Sequence, residues 1–395
     1  MRRTRLLCRL LLLSALLGSG VASSATLSSV EPTPGAVVAT QLLPRSLKQS
    51  LRDATRPAGA TQVDLRQRLA AARKLIEVGR TNGDPRTLGY AESLLAPWPP
   101  DAPDAPLDAV VLHATIAQSR HAFARAATLL DRVLERTRPD EPAYAQALLT
   151  RATIGQVTGR LAAARTDCER LAQVAREVAA ICVASVDVLA GELDAAVPLL
   201  RIAAARTSDS VRSWALAVLA QAYEQGGERA SADAAYRAAL SAGDDLVTRL
   251  AYADFLLAER LPEQAANVLD DAPATDGVVL RQWRIARELR KPEAAALEQR
   301  LRTRLADARQ RGDGSDLLHA RDWAQFELER GDASEALRLA RANWRDQREP
   351  ADLLILARAA GAARDDATRA EVRTWLAATK LQDVRIVTAL QEAQR

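Results

Sequence analysis

WALAVLAQAYEQGGERASADAAYRAA, residues 214–239, carries two short apolar stripes on either side of a Gly-Gly pair. Leu216, Leu219, Ala220 and Tyr223 recur at three- and four-residue steps, which puts them on one face of a helix. Ala232, Tyr236 and Ala239 do the same after the break. Gly226-Gly227 supplies the backbone freedom that a tight turn between helices demands. The stretch reads as a helical hairpin, closest where its small residues meet and filled on either side by larger ones.

Outward from this hairpin the spacing returns. Ala220 and Ala232 are 12 apart, as are Ala114 and Ala126, Ala152 and Ala164, Ala184 and Ala196, Ala253 and Ala265, and Ala324 and Ala336. Gly159, Gly191 and Gly331 each stand five residues before the second alanine of a pair. The second alanines at 126, 164, 196, 232 and 265 are separated by 38, 32, 36 and 33 residues. Ala, Leu and Arg dominate the rest of the 395 residues, while Gly and Pro number only 18 and 17, so helix formers outweigh breakers throughout.

This pattern resembles the tetratricopeptide repeat (TPR), a helix–turn–helix unit of about 34 residues. The resemblance covers residues 62 to 380 and is clearest over 107–272 and 317–347. Most units lack the family's aromatic positions and closing proline, and 276–311 are degenerate. The resemblance implies an all-α, right-handed superhelical solenoid of TPR-like hairpins. Its concave surface, lined by first helices, would hold an extended peptide or a helix of another protein.

The two ends read differently. Arg2, Arg3, Arg5 and Arg9 precede the apolar run from Leu10 to Leu17, and Gly20-Val21-Ala22 offers a small-residue cleavage site. That is the layout of a signal peptide over 1–22, and its apolar run is shorter than the roughly 20 residues a membrane span needs. The competing reading is an N-terminal helix of the fold. Cleavage would remove four arginines and no acids, taking the net charge from +4 to zero and leaving no basic footprint for nucleic acid. The expected destination is the periplasm or the exterior, with no stable membrane anchor after cleavage. Residues 23–61, interrupted by Pro32, Pro34, Pro44 and Pro57, read as a flexible tether with one short helix at 42–51. At the other end, Leu381, Val384, Val387 and Leu390 form a stripe suited to a capping helix over 381–395. The proline-rich run from Pro97 to Pro106 reads either as a stiff connection between helix pairs or as a polyproline ligand.

Residues for catalysis are scarce. His113, His121 and His319 are too scattered for a zinc motif, and no phosphate loop, dinucleotide fingerprint or nucleophile elbow occurs. Gly312-Asp313-Gly314-Ser315-Asp316 reads as a turn, and Asp270-Asp271 and Asp365-Asp366 as helix caps and solvated charge. No catalytic residue, cofactor or metal is expected, so the chain is not read as an enzyme. Cys168 and Cys182 lie seven residues either side of a turn centred near Ala175, which sets them side by side in an antiparallel pair. Export would permit a disulfide between them. Two small buried side chains without a bond are the other reading.

Inner first-helix positions give a mixed groove: Ile181, Ser185, Val188, Trp214, Gln221, Leu250, Asp254 and Leu257. Trp214 serves there as an anchor, or else packs between neighbouring units. Lys occurs only at 48, 74, 291 and 380 and Asn only at 82, 267 and 343, which argues against the Lys/Asn carboxylate clamp of some TPR proteins. The leading expectation is an exported scaffold binding a protein partner of the cell envelope. A self-associating structural protein, its groove filled by another copy or by residues 26–60, is the second. An enzyme with a site scattered over several units is the third.

Overall fold

A computed structural model of the chain describes residues 62–82, 86–311 and 319–392, all within one unit, Ser46–Arg395. The expected leader, the tether with its short helix, and the turn at 312–316 lie outside the described residues. Those described form nineteen helices and no strand.

The helices pair into antiparallel hairpins. The first is α1 (Gln62–Asn82) with α2 (Arg86–Leu95). Next come α3 (Leu107–Ser119) with α4 (Phe123–Arg136), and α5 (Pro142–Val157) with α6 (Leu161–Leu171). Then follow α7 (Arg176–Ala190) with α8 (Leu193–Arg206), and α9 (Asp209–Gly226) with α10 (Arg229–Ala242). The second half holds α11 (Leu246–Ala258) with α12 (Pro262–Val268), and α13 (Asp276–Glu288) with α14 (Ala294–Arg311). It ends with α15 (Ala320–Arg330) and α16 (Ala333–Asp346), α17 (Pro350–Ala362) and α18 (Asp366–Thr379), and a single last helix, α19 (Val384–Glu392). This is an all-α solenoid.

One backbone feature recurs in every hairpin from α3 onward. A turn residue takes positive φ: His121, Gly159, Gly191, Gly227, Arg260, Arg290, Gly331 and Arg364. Seven residues before it stands a fully buried alanine at 114, 152, 184, 220, 253, 324 and 357. The exception explains the degenerate stretch. In α13 that position is Trp283, whose indole fills the space where the second helix otherwise approaches. Ala295, the counterpart of the buried second-helix alanines, is accordingly exposed, and α14 is held further along by Leu301, Leu305 and Ala308.

Side chains also tie neighbouring hairpins. Arg151 on α5 reaches Asp131 on α4 at 2.7 Å and the buried Asp167 on α6 at 2.5 Å. Arg165 on α6 pairs likewise with the buried Asp187 on α7. Cys168 and Cys182 are joined in a disulfide between α6 and α7, Cα to Cα 5.5 Å, with both side chains fully buried. The proline-rich run joins α2 to α3. It is held by the chain's own donors: Arg132 gives a hydrogen bond to the Pro100 carbonyl at 2.7 Å, and a His113 ring nitrogen lies 3.1 Å from the Trp98 carbonyl.

The capping stripe differs from its expectation. Leu381 and Leu390 are buried, but Val384 and Val387 are 45% and 46% exposed, and Ile386 and Ala389 are buried instead. Leu381 precedes α19, so its helical phase does not extend back that far.

The solenoid also meets itself. The His121 ring lies 6.3 Å, edge to face, from that of His319. The Arg348 amide donates to the Val157 carbonyl at 2.7 Å, beside Gly159. Gly191 lies under Leu381, whose Cα would be 2.8 Å from a Cβ at that position. Val384 covers Gly227, and Arg385 on α19 reaches Glu224 on α9 at 2.6 Å. Four successive hairpin turns thus form a seam with four successive segments of the last third of the chain.

Candidate partner-binding face

The residue after each of these first-helix positions, the seven buried alanines and Trp283, marks a common face. From α3 to α7 it is Thr115, Thr153 and Ser185, whose hydroxyls donate to carbonyls one turn back on their own helices. From α9 to α17 it is Gln221, Asp254, Arg284, Gln325 and Arg358. Among these rungs Arg284 bonds across neighbouring first helices. Arg284 donates to Asp254 at 2.5 Å and to Glu329 at 2.6 Å, and Gln325 donates to the same Glu329 at 2.5 Å.

Three groove candidates, Ser185, Gln221 and Asp254, are rungs of this ladder, but the groove as a whole is less open than expected. Ile181, Ser185, Val188 and Leu257 are buried and offer a partner no surface. Ile181, Val188 and Leu257 belong to one apolar cluster with Ala215, Leu219 and Ala222 of α9. The physical reason is close stacking: small residues let adjacent first helices approach until these positions pack against the next hairpin. Trp214, Gln221, Leu250 and Asp254 stay half-buried. The Trp214 indole packs against two apolar clusters, one on either side.

Charge is concentrated at the far end. Arg281, nearly buried, donates to Asp254 at 2.5 Å and to Asp322 at 3.0 Å. Burial works against its charge, yet these two carboxylates hold its pKa above the ordinary guanidinium value. Burial likewise opposes ionisation of Asp322, while Arg281 and Arg321 keep its pKa low. Glu349 and Asp352 form a capping box at the start of α17. Burial and the Asp352 charge push Glu349 up to about 7. Asp365 and Asp271 follow their sequence reading as cap and surface charge: Asp365 accepts from the Thr368 amide at 2.8 Å, and Asp271 pairs with Arg249 at 2.8 Å.

Two features gave no sequence signal. His121 and His319 are brought together only by the seam. Gln225 on α9 is fully buried with neither its amide nitrogen nor its oxygen bonded. Among the described residues no three His, Cys, Asp or Glu side chains are placed to hold a metal ion, and no helix is long and apolar enough to cross a membrane.

The arrangement defines a class: a helical-hairpin solenoid with a polar ladder on its first helices. No family model and no curated protein matches the chain. Several solved structures align with it. One is the crystal structure of Rap protein complexed with competence and sporulation factor, 13% identical, with a TM-score of 0.45, covering 84% of this chain and 100% of that one. Another is the crystal structure of the P58(IPK) TPR domain, 15% identical, with a TM-score of 0.21, covering 81% of this chain and 99% of that one. At these scores the solenoid assignment rests on the chain's own hairpins.

Proposed function

We propose that this protein is an exported scaffold that binds a peptide or helix of an envelope partner along the ladder face, without catalysing a reaction. The supporting observation is the polar stretch of the ladder from Gln221 to Arg358, with half-buried apolar and aromatic neighbours such as Trp214 and Leu250. Such a face gives an extended chain many weak contacts in register. Export rests on the leader read in residues 1–22.

Affinity capture from an envelope extract tests this, with the full chain as bait and Gln221→Arg as control. A protein retained by the native bait and lost with a control of unchanged melting temperature supports the reading. Equal retention on both baits sinks it. Replacing Ile181, Val188 or Leu257 would be a poor control, because those residues hold the core.

Self-association is the second reading, favoured by one observation. Helix α8 turns Leu199 and Ile202 outward, 41% and 55% exposed, with Ala195 and Pro198 exposed beside them. A concentration-dependent mass that Ile202→Glu abolishes would favour it.

A further inference from the structure

The ladder ends on an unanswered charge. Along its charged half the other ionised groups are neutralised within the chain. Asp254 takes Arg281 and Arg284, Glu329 takes Arg284 and Arg287, and Glu224 takes Arg385. Arg358, the last rung, on α17, forms neither an ion pair nor a hydrogen bond among the described residues.

Two arginines and two acids surround it, and both arginines are already paired. Burial first, and then Arg284 of α13 and Arg385 of α19, hold the Arg358 guanidinium below its ordinary pKa. Two acids also face it, Glu329 of α15 and Glu392 of α19. Glu329 already accepts from Arg284, Arg287 and Gln325. Glu392 is exposed at the end of α19 and makes no bond. Arg358 is an exposed residue, while Leu354, one turn earlier, is half-buried against the core.

We propose that Arg358 is a docking point for a carboxylate carried by an acidic, partly apolar segment of a partner protein. The guanidinium presents a planar fork that matches a carboxylate in two parallel hydrogen bonds. Leu354 receives a neighbouring apolar side chain. The proposal rests on the ladder being the binding face, and it adds the chemistry of the partner: acidic at this end. An acidic side chain and the free end of a chain supply the same group.

The test uses the full chain and three fluorescent peptides in an anisotropy titration. One carries Glu and Leu with an amidated end. The second replaces Glu with Gln and keeps the free terminal carboxylate. The third has Gln and an amidated end. Arg358→Ala is the variant, and Arg206→Ala, at the exposed end of α8, controls for charge in general.

At least one carboxylate-bearing peptide should saturate the native chain and bind Arg358→Ala about tenfold more weakly, as expected for a lost charged hydrogen bond. Which of the two does so identifies the source of the carboxylate. The neutral peptide should not distinguish native from variant. Removal of the competing acid in Glu392→Gln should tighten binding. Equal binding to native and Arg358→Ala, no saturable binding of either anionic peptide, or an equal loss in Arg206→Ala overturns the proposal. A captured envelope partner that Gln221→Arg loses and Arg358→Ala keeps would overturn it while leaving the ladder reading standing.

Discussion

At the scale of single residues, the buried ion pairs hold more stability than their number suggests. Arg151 neutralises the buried Asp167, so Arg151→Ala strands a carboxylate in the packed interface between α5 and α6. Breaking such a pair typically costs 3 kcal/mol or more; because a quarter of the Arg151 side chain is exposed, about 2 kcal/mol is expected in urea unfolding. Glu349 has the opposite character. Its carboxyl titrates at about 7 in the fold against an ordinary value of 4.5. The fold holds that proton more tightly, so the group's stabilising contribution is full below pH 4.5 and falls away as pH rises towards 7. Glu349→Gln should flatten this decline between about pH 5 and about pH 8. An unchanged slope would mean that Glu349 is not the group that holds this proton. His121 acts in the other direction: burial, with His319 and Arg321 nearby, keeps its pKa low, so its contribution is lost on the acid side of 6.5.

At the scale of elements, the hairpins were legible wherever a glycine marked the turn. Gly159, Gly191, Gly227 and Gly331 take positive φ, and the sequence shows them at the right distance from small residues. His121, Arg260, Arg290 and Arg364 take the same conformation, which costs a non-glycine residue about 1 kcal/mol. Tertiary packing imposes it, and no local signal announces it. Trp283 hid its hairpin by occupying the small position. Half of the proposed groove failed for a related reason, since periodicity places Ile181 and Val188 on a face but does not say how closely the next helix approaches. The disulfide belongs to this scale too. It closes a loop of 14 residues between α6 and α7. Replacing both cysteines with alanine should lower stability by about 3 kcal/mol, read from denaturant midpoints with and without reductant.

At the scale of the whole molecule, the seam is the feature that no repeat pattern contains. Glu224 and Arg385 are 161 residues apart, and neither stands in a motif. Two glycines measure what the seam contributes. Gly331→Ala meets nothing within 4 Å, so it carries backbone strain alone, about 1 kcal/mol. Gly191→Ala has the same strain and also strikes Leu381 and the Gln382 amide. Calorimetry should show it clearly more destabilising than Gly331→Ala; equal losses would mean that the seam gives way freely.

An open array of hairpins frays from its ends, because each unit touches only its neighbours. Here the last helix touches the middle of the chain, so the early units reach full stability only after the final residues arrive. Closing so long a loop is slow, and the wait falls during synthesis. A product cut short before residue 384 lacks the Arg385 contact and leaves α9 loosely held. Such a fragment is a ready substrate for proteases, so α19 acts as a latch on units far earlier in the chain.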